Sequence, residues 1–206
     1  MVVIIDYDAG NTKSVEKAVE KLGFQAVLTD DRETILNADH VILPGVGSFG
    51  DAMRKLNERG LVSTIREVCD RGIPFIGICL GLQLLFEESE EAPGVRGLGI
   101  LPGRIVRFSD SYGLKIPQIG WNSLSFPRKT RLFQGLKQDS YVYFVHSYYL
   151  QAADESIVAA TCEYGNHVHA AVESGMIFAC QFHPEKSSET GLRILKNFLN
   201  MEKDTK

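Results

Sequence analysis

Apolar and polar positions follow two different rhythms along this chain, and the change between them divides it. In the first half, short apolar runs recur at Val2-Val3-Ile4-Ile5, at residues 25–29, at His40-Val41-Ile42-Leu43 and at Phe75-Ile76-Gly77-Ile78. Such runs suit strands buried on both faces, as in a parallel sheet. Between them, apolar residues fall at helical spacing: Val15, Ala18, Val19 and Leu22 before Gly23, then Met53 with Leu56, then Val62, Ile65 and Val68, then Leu82, Leu85 and Phe86. A short helical piece after Asp30-Asp31 completes a β-α-β-α-β opening through residue 43. That order implies a parallel sheet with right-handed crossovers.

Past a loop-rich stretch carrying Pro93, Gly94, Gly97, Gly99, Pro102 and Gly103, the texture changes. Residues 105–108, 121–124, 141–150, 156–162 and 168–172 read as strands with hairpin-type turns, Glu163-Tyr164-Gly165-Asn166 being one of them. A further apolar run, 178–182, ends in His183-Pro184-Glu185. A last helix over 189–200 buries Leu192, Ile194, Leu195, Phe198 and Leu199, and the charged tail of Glu202, Lys203, Asp204 and Lys206 is expected to fray. The expected class is α/β: an open, mostly parallel sheet flanked by helices, with added antiparallel strands in the C-terminal half. No linker separates two units, so residues 1–206 are expected to form one domain.

Composition narrows the function. At 206 residues and 44% hydrophobic, the chain supports a large core. A net charge of −4 without a basic stripe argues against nucleic acid as the main partner. Cys69, Cys79, Cys162 and Cys180 lie far apart and form no CxxC pair. They read as reduced thiols in a cytoplasmic protein, not as a disulfide frame or zinc site. The first apolar run lacks a basic leader and is too short for a signal or membrane span. Glu87, Glu88, Glu90 and Glu91 read as a solvated helix end rather than a metal site, and no cofactor is called for.

The chemistry concentrates at Gly77-Ile78-Cys79-Leu80-Gly81, which has the form Gly-x-nucleophile-x-Gly. That form marks a sharp strand-to-helix turn that lifts its central residue above the sheet edge, with a helix N-terminus behind it to favour a thiolate. A lone cysteine in an apolar segment is ordinarily a small buried hydrophobe. Two flanking glycines are superfluous to that role. His183 and Glu185, two apart at a strand end, supply a base and its orienting partner, completing the logic of an activated nucleophile. Pro44-Gly45-Val46-Gly47-Ser48-Phe49-Gly50 lacks the phosphate-loop pattern. Its backbone N–H groups, at Gly45, Val46 or Gly47, would instead join that of Leu80 as an oxyanion hole. Gln83 lies one helical turn after Cys79, so its amide reaches the same pocket.

Together, Gly77-Ile78-Cys79-Leu80-Gly81-Leu82-Gln83 and Gln181-Phe182-His183-Pro184-Glu185-Lys186-Ser187 resemble the class I (triad) glutamine amidotransferases, whose sheet is flavodoxin-like. The resemblance implies glutamine hydrolysis to glutamate and ammonia by Cys79, His183 and Glu185, with substrate contacts at Gln83, Glu91, His146, Ser147 and Tyr148. Asp6-Tyr7 with Gly10-Asn11, Pro117-Gln118-Ile119-Gly120-Trp121-Asn122 and Tyr143-Phe144-Val145-His146-Ser147-Tyr148 are similar to one branch of that family, with Asp8-Ala9 as a minor departure. That branch pairs, as a heterodimer, with the (β/α)8-barrel cyclase subunit of imidazole glycerol phosphate synthase in histidine biosynthesis. There the ammonia passes through the barrel to a formimino ribonucleotide, giving imidazole glycerol phosphate and an aminoimidazole carboxamide ribonucleotide. Asn11, Gln118, Trp121, Tyr143, His146 and Lys186 match positions near the cyclase. His40, His167 and His169 receive no role. The alternatives are a triad amidotransferase of another pathway, a partner-independent hydrolase of γ-glutamyl bonds, and an inactive module that regulates a synthase. The intact Cys79, His183 and Glu185 set argues against the last.

Overall fold

The structure is a computed structural model that describes residues 1–8, 10–110 and 113–202. Ala9 of the Asp8-Ala9 departure, and Lys203, Asp204 and Lys206 of the expected frayed tail, lie outside the described residues.

The first strands form because their apolar side chains have somewhere to go on both sides. In β1 (Val2–Ile5), Val2 and Ile4 enter one core while Val3 and Ile5 enter the other. It is flanked in parallel by β2 (Ala26–Thr29) and β3 (His40–Leu43), and β4 (Phe75–Ile78) extends the sheet from β3. The next parallel neighbour comes from the far end of the chain: β12 (Ile177–Cys180) pairs with β4. The order β2-β1-β3-β4-β12 is that of a flavodoxin-like sheet. One core packs α1 (Thr12–Lys21) and α6 (Ser188–Leu199) against the sheet. The other packs α2 (Arg32–Leu36), α3 (Phe49–Glu58), α4 (Leu61–Asp70) and α5 (Leu80–Leu84).

The antiparallel part continues from β12. There β11 (His167–Ser174) pairs with β12, β10 (Val158–Glu163) and β9 (Tyr148–Ala152). Beyond β9 come β6 (Gly103–Arg107) and the two-residue β5 (Glu88–Ser89). A separate antiparallel pair, β7 (Gln118–Leu124) and β8 (Ser140–His146), stands off this sheet. No helix among the described residues is long and apolar enough to cross a membrane.

Three expectations change. The run 141–150 is two strands, β8 and β9, which belong to different sheets and break at Ser147. Periodicity reports that a residue is in a strand, not which sheet the strand joins. The helix after Cys79 stops at Leu84, because the carbonyls of Leu85 and Phe86 are taken by the N–H groups of Gly99, Ile100 and Leu101. Leu85 and Phe86 stay buried all the same. The acidic run is no helix end. Glu87, Glu90 and Glu91 accept backbone N–H bonds from Gly103, Arg107 and Phe49, which tie β5 and its turn to the body. Smaller shifts occur at strand ends, where 156–157 fall in a 3-10 turn, Glu155–Ile157, rather than in β10.

A helical glycine tests how tightly the C-terminal turn is packed. Gly191 of α6 lies against Pro184, whose carbonyl oxygen would sit 1.9 Å from an added Cβ. An alanine normally gains about 1 kcal/mol over glycine within a helix. Overpacking costs about 1–3 kcal/mol. Against backbone the clash wins, so Gly191→Ala is expected to lower the urea midpoint; an unchanged or raised midpoint would show that the turn yields freely.

Candidate active site

Strands β1, β3, β4 and β12 end at the same edge of the sheet, and the segments that follow them build one site, as open α/β sheets do. The turn from β4 to α5 has no connecting loop. Cys79 alone makes the corner, at φ 55° and ψ −109°, a backbone state that L-residues adopt only under constraint. The constraint is visible at both glycines. A Cβ on Gly77 would sit 2.5 Å from the Gly81 carbonyl oxygen, and one on Gly81 would sit 2.0 Å from the Leu43 oxygen of β3. The Cys79 N–H donates to the Cys180 carbonyl (2.8 Å), and the Leu82 N–H donates to the Cys79 carbonyl (3.0 Å), closing the corner from both sides.

His183 follows β12 across the cleft, and the 3-10 turn Pro184–Lys186 brings Glu185 back beneath it. The His183 Nδ1–H donates to Glu185 Oε1 at 2.7 Å, and Asn11 Nδ2 donates to the same oxygen at 2.6 Å. Both side chains, His183 and Glu185, are withdrawn from water, at 1% and 0% exposure. The His183 Nε2 is buried and has no hydrogen-bond partner among the described residues, so its approach to Cys79 is a near contact short of a formed bond. Burial opposes charge on the ring. The sulfur of Cys79 and the carboxylate of Glu185 outweigh it, and the His183 pKa is pushed up to about 9.

The cleft encloses about 290 Å³, near the small end of ligand pockets. Cys79 and His183 line it, with Val46, Gly47, Leu80, Gln83 and Glu91 on the helical side and His146, Ser147 and Tyr148 opposite. Gly45 lies just behind, its Cβ direction 2.8 Å from Leu80 and 3.0 Å from the Gly81 nitrogen, so the loop after β3 packs directly on the elbow. Glu91 also accepts the Phe49 N–H (2.7 Å) at the start of α3. His146 is pushed down to about 4 by burial, with the His183 charge adding and its bond to Tyr148 opposing. It is therefore neutral. Its Nδ1 faces the Tyr148 carbonyl at 2.8 Å, and a carbonyl only accepts, so the proton is on Nδ1. Nε2 faces the Gln118 side chain, whose Oε1 lies 3.0 Å away.

The residues expected near a partner separate into two sets. Trp121 is 51% exposed and meets Tyr143 edge-on at 6.2 Å on the outer face of β7 and β8, and Lys186 is exposed. Gln118 points the other way: strand alternation turns it inward onto His146. Asn11 is committed to Glu185. His40 bonds to the Met201 carbonyl, His167 to Glu163, and His169 accepts from the Ala152 N–H, all away from the cleft. Burial, with Asp70 or Glu163 nearby, pushes the Cys69 and Cys162 thiols up to about 12, and burial also raises Cys180.

Three further residues brace the site without a sequence signal of their own. Tyr7 is buried and donates its hydroxyl to the Pro44 carbonyl (2.9 Å), bracing the loop that carries Val46. Ser187 Oγ accepts the Tyr143 N–H and donates to the His183 carbonyl, joining β8 to the triad turn. Gln181 donates to the Cys79 sulfur at 3.7 Å. All three stand inside motifs already singled out, but an uncharged side chain gives no sequence sign of its partner.

The raised His183 pKa has a stability consequence. It lies above the ordinary 6.5, so its contribution is complete below about pH 6.5 and is lost as pH rises through about 9. Ring-proton NMR is expected to show one histidine titrating near 9, moving down in Glu185→Gln, and stability falling over that window. A midpoint near 6.5 that ignores the substitution would remove the pairing.

Comparison with known proteins places this geometry. The model of the family "Glutamine amidotransferase class-I" matches residues 3–201. The imidazole glycerol phosphate synthase subunit HisH of Moorella thermoacetica is 51% identical over 197 residues, covering 96% of this chain and 93% of its own. The proteins of the same name from Bacillus cereus strain G9842 and Aquifex aeolicus are 53% and 49% identical, covering 96% and 95% of this chain and 93% and 94% of theirs. Among solved structures, a glutamine amidotransferase superposes with TM-score 0.75 at 22% identity, and a chain of PurLQS from Thermotoga maritima with 0.74 at 23%, each covering 97% of both chains. At such identities the structures speak for the fold, whereas the near-full-length relatives speak for descent: this chain belongs to the class-I glutamine amidotransferases, in the branch of the imidazole glycerol phosphate synthase subunits HisH.

Proposed function

We propose that Cys79, His183 and Glu185 hydrolyse glutamine to glutamate and ammonia, and that the ammonia serves a (β/α)8-barrel cyclase subunit in histidine biosynthesis. The observation that carries this reading is the buried His183–Glu185 pair at 2.7 Å facing a strained cysteine across a cleft sized for one amino acid. His183, holding its proton to about pH 9, faces the Cys79 sulfur as an imidazolium. The thiolate attacks the side-chain amide carbon of glutamine. The developing oxyanion takes N–H bonds from Leu80 and from the Gly45–Gly47 segment. His183 passes its proton to the departing nitrogen, which leaves as ammonia, and then draws a proton from water as that water cleaves the thioester. Glu185, steadied by Asn11, holds the ring tautomer and offsets its charge.

Gln83, Glu91, His146, Ser147 and Tyr148 surround the amino-acid end of the substrate. We place the cyclase on the outer face of β7 and β8, where Ile119, Trp121 and Tyr141 are exposed beside Tyr143 and where Val145 reaches the cleft. One amidotransferase domain does this work. A thiol nucleophile among three other free cysteines suits a reducing compartment, and we place the reaction in the cytoplasm. Docking governs the rate: the free subunit is a poor glutaminase, and cyclase with its ribonucleotide reshapes the loop 44–49.

Two measurements test this. Glutamate release is expected to rise strongly when cyclase and ribonucleotide are added and to vanish in Cys79→Ala; equal turnover by free and assembled protein would remove the gating. Val46→Pro deletes one N–H and is expected to cost about 10²–10³ in kcat. Unchanged activity would take Val46 out of the oxyanion hole.

A further inference from the structure

The triad leaves one polar side chain in the site unused. Gln181, one residue beyond β12, is 0% exposed, and its backbone N–H is pinned to the Ala170 carbonyl at 2.8 Å. Its side chain bonds to two residues of the cleft, Gln83 and Cys79. A buried amide is costly unless its partners need it, since an apolar side chain of the same shape would otherwise serve as well.

The direction of this amide follows from one group that only accepts. The Tyr148 carbonyl takes a hydrogen bond from the Gln83 amide at 3.1 Å, so that end of Gln83 is its NH2. The same nitrogen lies 3.0 Å from the Gln181 side chain, so the atom it meets there is the Gln181 oxygen. The Gln181 NH2 is thereby turned to the Cys79 sulfur, 3.7 Å away. A chain of hydrogen bonds therefore runs from the Tyr148 carbonyl, which accepts, through the Gln83 and Gln181 amides to the Cys79 sulfur. A donor facing sulfur favours the charged form, because hydrogen bonds to ions are about twice as strong as those between neutral groups.

We propose that Gln181 is a further catalytic residue, which donates to the Cys79 thiolate and is aimed by Gln83 from the Tyr148 carbonyl. The proposal rests on Cys79 being the nucleophile. It also gives Gln83 two duties, since its NH2 orients Gln181 while its oxygen is left to face substrate. Glutamine bound against Gln83 thus touches the same chain that holds the sulfur. The titratable groups around that sulfur are His183 with Glu185 behind it, Tyr7 from the segment after β1, and Cys180 of β12, while His146 of β8 faces His183. None of them changes in the variants below.

The test reads the thiolate directly and needs no partner. Wild type, Gln181→Met and Gln181→Glu are alkylated with iodoacetamide at neutral and alkaline pH, and label on Cys79 is counted by peptide mass spectrometry with Cys69 as the internal reference. Gln181→Met is expected to slow Cys79 labelling about ten- to hundredfold at neutral pH, the worth of one charge-assisted hydrogen bond. At alkaline pH, where the thiol ionises unaided, the rates converge. Gln181→Glu keeps the size and the acceptor toward Gln83 but loses the donor, so it shows the same pattern and reports even where the methionine variant fails to fold. Equal neutral rates, or a deficit of one size at both pH values, would overturn the assignment. Wild-type Cys79 labelling no faster than Cys69 at neutral pH would instead sink the nucleophile itself, and the proposal with it.

Discussion

Everything in this site depends on how closely the backbone of the elbow approaches β3. The helix α5 starts one residue after β4 ends, so its first turn is driven into the neighbouring strand. At Gly81 the gap to the Leu43 carbonyl leaves no space for even a methyl group. That compression forces Cys79 to φ 55°, and the surrounding parallel strands supply the stability that offsets the strain. A side chain carried on such a corner has little backbone freedom left.

The electrostatics are arranged around the same corner. Glu185 is buried, and Asn11 and His183 both donate to its Oε1, while its Oε2 has no hydrogen-bond partner among the described residues. Charge on His183 is sustained from both sides, by Glu185 and by Cys79, while the neighbouring His146 is kept neutral by burial. Two histidines near one another thus hold opposite charge states. Both line the cleft.

The segment after β1 joins these parts. Tyr7 braces the carbonyl before Gly45, Gly10 lies under the Val46 side chain with its Cβ direction 3.0 Å from it, and Asn11 reaches Glu185. A single short segment therefore touches both the loop after β3 and Glu185. Motion there would be felt at both places.

The chain alone determined the parallel half of the fold, because uninterrupted apolar runs such as Val2-Val3-Ile4-Ile5 have no stable home except between two cores. It also marked the corner at Cys79 and the His183–Glu185 pair, since glycines flanking a cysteine, and a histidine two before a glutamate, have local geometric meanings. Strand membership was beyond it: residues 141–150 carry one apolar rhythm yet serve two sheets. So was the direction of uncharged polar side chains. Gln118 turned inward to His146, Gln181 met sulfur, and Asn11 found Glu185 from 174 positions away. Those partnerships are decided by which strands stack and cross, and hydrogen bonds between residues so distant in the chain leave no periodic trace for a sequence to show.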